Sequence, residues 1–255
     1  MNRDPFAPLV STPLRHYING GWETGATTGI ELNPSDLDEP VGEYMRADAR
    51  QTDTAIEAAR AAFREWSPGS AQRRADALDV IGSEVLARRG ELARLLAREV
   101  GKTLPEALAE LMRAGQLFKG CAAQALRAYS DVAASARPGV EVDVTREPLG
   151  VIGIITPWSA PLAIPAGKIA AALAYGNCVV FKPAEAVPAC ASALASIISR
   201  AGLPAGVFNL VMGSGRQVGA RIAAHPLVAA LSFSGSAATA RQVLYAGAAR
   251  AARCV

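Results

Sequence analysis

Residues 151–185 read VIGIITPWSAPLAIPAGKIAAALAYGNCVVFKPAE, and the rest of the 255-residue chain is read outward from them. The stretch opens on a β-branched apolar run, Val151 to Ile155, and breaks at Thr156-Pro157-Trp158. Residues 162–175 are apolar and Ala-rich with one Lys, long enough for a helix, and Gly176-Asn177 stops that helix as a left-handed C-terminal cap does. A second apolar run, 178–181, ends on Lys182-Pro183-Ala184-Glu185. Strand, crossover helix and strand make a βαβ unit, which implies a parallel sheet buried on both faces. Ligands of such sheets sit beyond the carboxyl ends of the strands, where Trp158, Ser159, Lys182 and Glu185 fall.

Downstream the alternation continues. A helix is expected over 187–200, a turn at 203–206, a strand over 207–212, a short helix over 217–224, a strand over 228–233 and a last helix to about 252, with Cys254 starting a further strand. Upstream, residues 1–16 read as an arm, and Tyr17 to Trp22 as a hairpin start with Gly20-Gly21 at its turn. Asn33-Pro34-Ser35 is a turn, and helices are expected over 52–66, 71–88, 91–100 and 104–129. Ile56, Ala59, Phe63, Leu78, Ile81, Val85, Leu92, Leu95 and Leu96 are their core residues, with Arg73, Arg74, Arg88 and Arg89 on a solvated surface. Residues 140–144 alternate Val-Glu-Val-Asp-Val, a strand with one apolar and one acidic face.

Composition narrows the function classes. Half of the chain is apolar (51%), ample for a core, and Lys+Arg 26 against Asp+Glu 23 leaves +3, too balanced for a nucleic-acid partner. Four cysteines, 121, 178, 190 and 254, form no C-x-x-C pair, and with only His16 and His225 beside them no metal site is expected. Residues 148–167 are uncharged over a membrane-spanning length, but four prolines and several glycines break the segment, so it is read as strand, loop and helix, not a span. The start of the chain has no apolar h-region, and the expected compartment is a reducing cytoplasm.

TPWSAP, GKIAAALAYGN, VVFKPAE and the later FSGS, in that order and spacing, resemble the aldehyde dehydrogenase superfamily from about Tyr17 to Val255. The resemblance implies an α/β fold: a Rossmann-like parallel sheet with an N-terminal helical region and part of an oligomerisation hairpin, the aldehyde dehydrogenase fold in truncated form. It divides the chain into an arm (1–16), strands and helices packing on the cofactor domain (17–136), a hairpin segment (137–148) and an NAD-binding region (149–255), with the catalytic domain absent. It also implies a small-molecule aldehyde substrate, a homo-oligomer, and neither a nucleic-acid nor a membrane partner. RPGVEVDVTREPLG and AGLPAGVFNLVMG are most similar to enzymes of 2-oxoglutaric semialdehyde.

By the same resemblance the cofactor site comprises Ile155, Thr156, Pro157, Trp158, Lys182, Glu185, Gly215, Phe233, Gly235, Ser236 and Thr239. Gly213-Ser214-Gly215 continues to Gly219 as G-x-G-x-x-x-G, one residue longer than the dinucleotide fingerprint, and by itself serves equally as a plain strand–helix turn. Ser236 opens a helix whose free N–H groups suit a pyrophosphate, or is an ordinary N-cap. A carboxylate at Glu185 suits a ribose diol and repels a 2′-phosphate, so NAD is expected over NADP. Two positions depart from the family. Ser159 stands where it places an oxyanion-donating Asn, and Gly167 where it has a Trp lining the aldehyde channel. The family's general-base Glu, in Glu-Leu-Gly-Gly-Lys, and its nucleophilic Cys would follow Val255, and Cys254 is not that Cys. The expected function is therefore the cofactor half of an NAD-dependent aldehyde dehydrogenase, inactive alone. The alternative is a non-catalytic nucleotide-binding or assembly fragment from an interrupted gene.

Overall fold

The computed structural model describes residues 13–127 and 130–255. Two hairpins come first, β1 (His16–Ile18) with β2 (Gly21–Glu23) and β3 (Thr27–Asn33) with β4 (Asp36–Arg46). Four helices follow: α1 (Ala49–Trp66), α2 (Ala71–Ala87), α3 (Arg89–Val100) and α4 (Leu104–Ala125). A third hairpin, β5 (Ser130–Ala134) with β6 (Glu141–Thr145), leads into β7 (Val151–Ile155), α5 (Ala163–Ala174), β8 (Cys178–Lys182), α6 (Pro188–Ile198) and β9 (Phe208–Leu210). A π-helical turn (Gly215–Gly219), α7 (Ala220–Ala224), β10 (Val228–Phe233), α8 (Ala237–Ala248) and β11 (Arg253–Cys254) complete the chain.

The main sheet runs β11-β10-β7-β8-β9-β1-β2. Its first five strands are parallel, and β1 and β2 extend it antiparallel. Counted in chain order the parallel strands lie 5-4-1-2-3, the doubly wound order, which reverses between β7 and β10. Every residue of β7 and β8 is buried, as a strand covered on both faces requires. α5 packs against α2 and α4, and α6 against α2 and α3, so the N-terminal helices form an outer layer on one face of the sheet. α1 lies against β7, β8, β9 and α7.

Local chemistry sets the helix ends. Asp48 Oδ1 accepts from Gln51 N at 2.8 Å to start α1, and Thr103 and Glu106 form a reciprocal capping box on α4. α5 ends in a Schellman motif: Gly176 (φ +77) donates to Leu173 O and Asn177 N to Ala172 O. Asn177 Oδ1 then accepts from Leu149 N and Gly150 N, fixing the entry to β7.

Several expectations change. The β1–β2 turn is Asn19-Gly20, not Gly20-Gly21, because both of its central residues need positive φ (49 and 82). Leu14 is buried against Tyr44 and His16 opens β1, so the arm ends before residue 14, and its residues 1–12 lie outside the described ones. The end of the helix expected to 129 also lies outside them, and α4 closes at Ala125. Arg74 is buried rather than solvated: its guanidinium donates to Ala174 O, Gly69 O and Ser67 O, joining α2 to the carboxyl end of α5. The strand expected over 207–212 is the shorter β9, and the helix expected over 217–224 splits into the π turn and α7. In β6 no face is buried, and Val140, Val142 and Val144 are all exposed.

Candidate functional site

The carboxyl ends of β7 and β10 lie side by side at the point where strand order reverses, and the expected site residues collect there and on the neighbouring end of β8. Ile155, the last residue of β7, stands between Phe233 of β10 and Lys182 of β8 in the ladder. Thr156 follows, buried, its N–H donating to Lys182 O at 3.3 Å. Its hydroxyl is shielded from solvent with no hydrogen-bond partner among the described residues, so it is an orphaned polar atom at the sheet mouth. Pro157 is half-buried, while Trp158 and Ser159 are exposed on the loop into α5.

Lys182 is 4% exposed, and its ammonium donates to Pro183 O at 2.6 Å. Burial pushes its pKa down to about 8, opposed by the charge of nearby Glu185. Glu185 is exposed, and its Oε1 accepts from Gly215 N at 3.1 Å, which ties the end of β8 to the glycine loop. That loop is capped by Ser214, whose hydroxyl accepts from Gln217 N. At Gly215 an added Cβ would meet nothing within 4 Å, so the backbone there faces open space. At Gly235 an added Cβ would come within 2.6 Å of the Phe233 ring, so glycine is what lets that ring lie across the loop. Ser236 acts as the N-cap of α8, accepting from Thr239 N, with its hydroxyl 3.0 Å from that of Thr239. The first N–H groups of α8 beyond that cap remain available to an anion.

Two residues that the sequence pattern did not single out complete the geometry. Lys168, the lone charge in the apolar α5, is half-buried, and its ammonium reaches across to Ser232 Oγ at 2.7 Å, one residue before the end of β10. Burial lowers its pKa. A lone Lys in an apolar helix is the signal that could have marked it, since a buried ammonium needs a polar partner. Glu110 of α4 is buried, and its Oε1 accepts from Leu162 N (2.9 Å) and Ala163 N (3.1 Å) at the start of α5, while Oε2 takes the Lys102 ammonium. α5 has no side-chain cap of its own, so a carboxylate 52 residues away performs that task. Between α4 and α5 lies a cavity of about 560 Å³, reached by Lys102, Arg113, Gly167 and Lys168.

None of the four cysteines lies at this mouth. Cys178 opens β8, at the end of the strand away from this mouth, with its thiol pushed up to about 12 by burial. Cys190 is buried in α6, Cys121 half-buried in α4, and Cys254 packs in β11 close to Gly247. Among the described residues no helix is long and apolar enough to cross a membrane.

The sequence profile of the aldehyde dehydrogenase family matches residues 22–255. An alpha-ketoglutaric semialdehyde dehydrogenase of Bacillus subtilis is 37% identical over 241 residues, 93% of this chain and 49% of that protein. A glutarate-semialdehyde dehydrogenase of Pseudomonas aeruginosa is 36% identical over 231 residues, 89% of this chain and 47% of that protein. Among solved structures, betaine aldehyde dehydrogenase of Staphylococcus aureus in complex with NAD+ superposes with a TM-score of 0.90 at 31% identity, covering 94% of this chain and 48% of its own. The chain thus spans about half the length of the curated relatives it matches.

Proposed function

Since the chain belongs to the aldehyde dehydrogenase family, we propose that it is the cofactor-binding half of an NAD-dependent enzyme oxidising a semialdehyde to a carboxylic acid. The observation that carries this reading is the convergence of the Thr156 loop, buried Lys182, Glu185 and the start of α8 on the switch point between β7 and β10. The residues fit a dinucleotide. An orphaned Thr156 hydroxyl and an ammonium bonded, among the described residues, only to its neighbour's carbonyl supply polar groups to it, and Gly215 leaves it backbone room.

In this reading Lys182 donates to a ribose hydroxyl and the free Glu185 oxygen accepts from one. Gly235, Ser236 and Thr239 hold the pyrophosphate at the start of α8, and Phe233 closes the side of the site. The nicotinamide, when bound, accepts a hydride from the substrate. Ser159 supplies the donor nearest the substrate oxygen, through a hydroxyl shorter than an amide. Semialdehydes are favoured by the relatives in Bacillus and Pseudomonas, whose names carry that substrate class. The β5–β6 hairpin stands apart from the main sheet with Val140, Val142 and Val144 uncovered, which suits pairing with another copy of the chain.

These 255 residues by themselves are proposed to bind nucleotide without turnover, because no cysteine is placed to attack an aldehyde at the mouth. Calorimetric titration with NAD and NADP tests the reading. NAD is expected to bind at least about tenfold tighter, with Glu185→Gln narrowing the gap. Equal or tighter NADP binding overturns the assignment of Glu185 to the ribose, and failure to bind either nucleotide overturns the site.

A further inference from the structure

β4 ends on Arg46, and the chain turns through Ala47 into α1 against the glycine loop. Ala47 N donates to Met212 O at 2.9 Å, and an added Cβ at Gly213 would stand 3.4 Å from the N and O atoms of Ala47. Two residues further on, Gly215 N donates to Glu185 Oε1. The β4–α1 junction, the glycine loop and the carboxylate assigned above to the ribose therefore follow one another along one wall. Arg46 is fixed on that wall. Its Nε and Nη2 both donate to the hydroxyl of the buried Tyr44, at 3.2 and 3.1 Å, and its guanidinium carbon lies 5.3 Å from the centre of that ring. Gly29 of β3 makes room for the pair, since an added Cβ there would come within 2.7 Å of the ring and 2.8 Å of Arg46 Nε.

Two features of Arg46 are left over by this packing. Among the described residues its Nη1 donates to nothing, and the guanidinium forms no ion pair. The pKa of Arg46 is raised first by its bonds to Tyr44, and the charge of Glu185 adds to that effect, so the carboxylate is near without touching. Asp48, the acid two residues on, is turned onto Gln51 N as the cap of α1. We infer that Arg46 is a specificity-determining residue for the nucleotide, whose Nη1 meets a phosphate carried on the 2′-oxygen of the adenosine ribose. The inference deepens the cofactor reading and rests on it. Glu185 accepts from a ribose diol and repels a 2′-phosphate, whereas Arg46 acts on the phosphate alone, because a neutral diol offers a guanidinium no charge to pair. The preference for NAD is then the difference between the two side chains, and Arg46 bounds it.

The test uses the 255-residue chain and three adenine nucleotides in calorimetric titration: AMP, adenosine 2′,5′-bisphosphate and adenosine 3′,5′-bisphosphate. Arg46→Met should weaken the 2′,5′-bisphosphate by about tenfold, as loss of a charge-assisted pair supports, and change AMP by less than about twofold. Arg46→Lys should keep part of the affinity. Glu185→Gln should tighten the 2′,5′-bisphosphate, and adding Arg46→Met should remove that gain. No binding of the 2′,5′-bisphosphate by the unaltered chain, an affinity untouched by Arg46→Met, or a loss shared equally with AMP or with the 3′,5′-bisphosphate each overturns the assignment of Arg46. AMP separates the two readings. A chain that binds AMP but fails one of these comparisons loses Arg46 and keeps the cofactor site, and a chain that binds none of the three nucleotides loses both.

Discussion

The two crossover helices of the parallel sheet, α5 and α6, are started in the same way by different means. Each lacks a side-chain cap of its own, and each has its first N–H groups taken by a buried glutamate from the outer helical layer. Glu110 of α4 serves α5, and Glu99 of α3 serves α6, where Ala189 N donates to Oε1 at 2.6 Å and Cys190 N to Oε2 at 2.8 Å. The difference is charge. Glu110 has the Lys102 ammonium on its second oxygen. Among the described residues Glu99 has no such cation, and burial pushes its pKa up to about 7, with the charge of Glu31 adding to the effect against its bonds to Cys190 and Ala189. A carboxylate can therefore cap a helix from a distance in this fold in two states. One shares its second oxygen with an ammonium beside the cavity, and the other titrates near neutrality in the interior. The helix that starts beside the candidate site is the one whose cap is paired with a cation.

Removing the two caps is the strongest way to break this comparison. Glu110→Ala leaves two helix N–H groups and a partly buried Lys102 without partners, and should cost about 3–5 kcal/mol in urea unfolding at pH 7. Glu99→Ala exposes the same number of N–H groups but also removes a charge that burial disfavours, so about 1–2 kcal/mol is expected at that pH. Equal losses would mean that Lys102 contributes nothing to the difference.

Titration sharpens it next. Glu99 has a folded pKa of about 7 against an ordinary value of 4.5, so between those values the folded chain holds more protons than the unfolded one. Its contribution to stability is full below about pH 4.5 and is lost as pH rises to about 7, by on the order of 3 kcal/mol. Urea midpoints taken across that window should fall with pH from this group, and Glu99→Gln should flatten that component while Glu110→Gln does not. An unchanged profile in Glu99→Gln would show that the carboxyl stays ionised on its two N–H bonds.

These caps also mark what could be read from the sequence. β7 and β8 were legible because strands buried on both faces are continuous apolar runs, and the end of α5 because Gly176 is the residue that takes positive φ at low cost. Ser236 was legible as a helix start for a similarly local reason. Lys182 and Glu185 were found through the motif that contains them, and the structure places them at a strand end as that motif implies. Glu99, Glu110 and Arg74 were not legible, because their partners lie 52 to 100 residues away and each reads locally as one more charge on an amphipathic helix. The Asn19-Gly20 turn was present in the sequence and was misplaced by one residue, because Gly-Gly satisfies the same composition rule without fixing which pair takes positive φ.

The smallest expected effect comes from replacing each cap by its amide, and it follows from which oxygen does what. In Glu110 one oxygen receives both helix N–H groups and the other faces Lys102. Glu110→Gln can therefore keep the cap intact, but it turns an NH2 group toward an ammonium, donor against donor. Lys102→Met removes that clash. In a double-mutant cycle the pair should then be less destabilised than the sum of the single changes, by about 1–2 kcal/mol. In Glu99 each oxygen receives one N–H, so Glu99→Gln must lose one of the two bonds while it also loses the charge that burial disfavours. At pH 7 those terms oppose each other, and a net change within about 1 kcal/mol is expected. At pH 5, where the native carboxyl is already protonated, no charge is left to relieve, so the same substitution should be plainly more destabilising. Strict additivity in the Glu110–Lys102 cycle, or a Glu99→Gln effect independent of pH, would erase the distinction between the two helix starts.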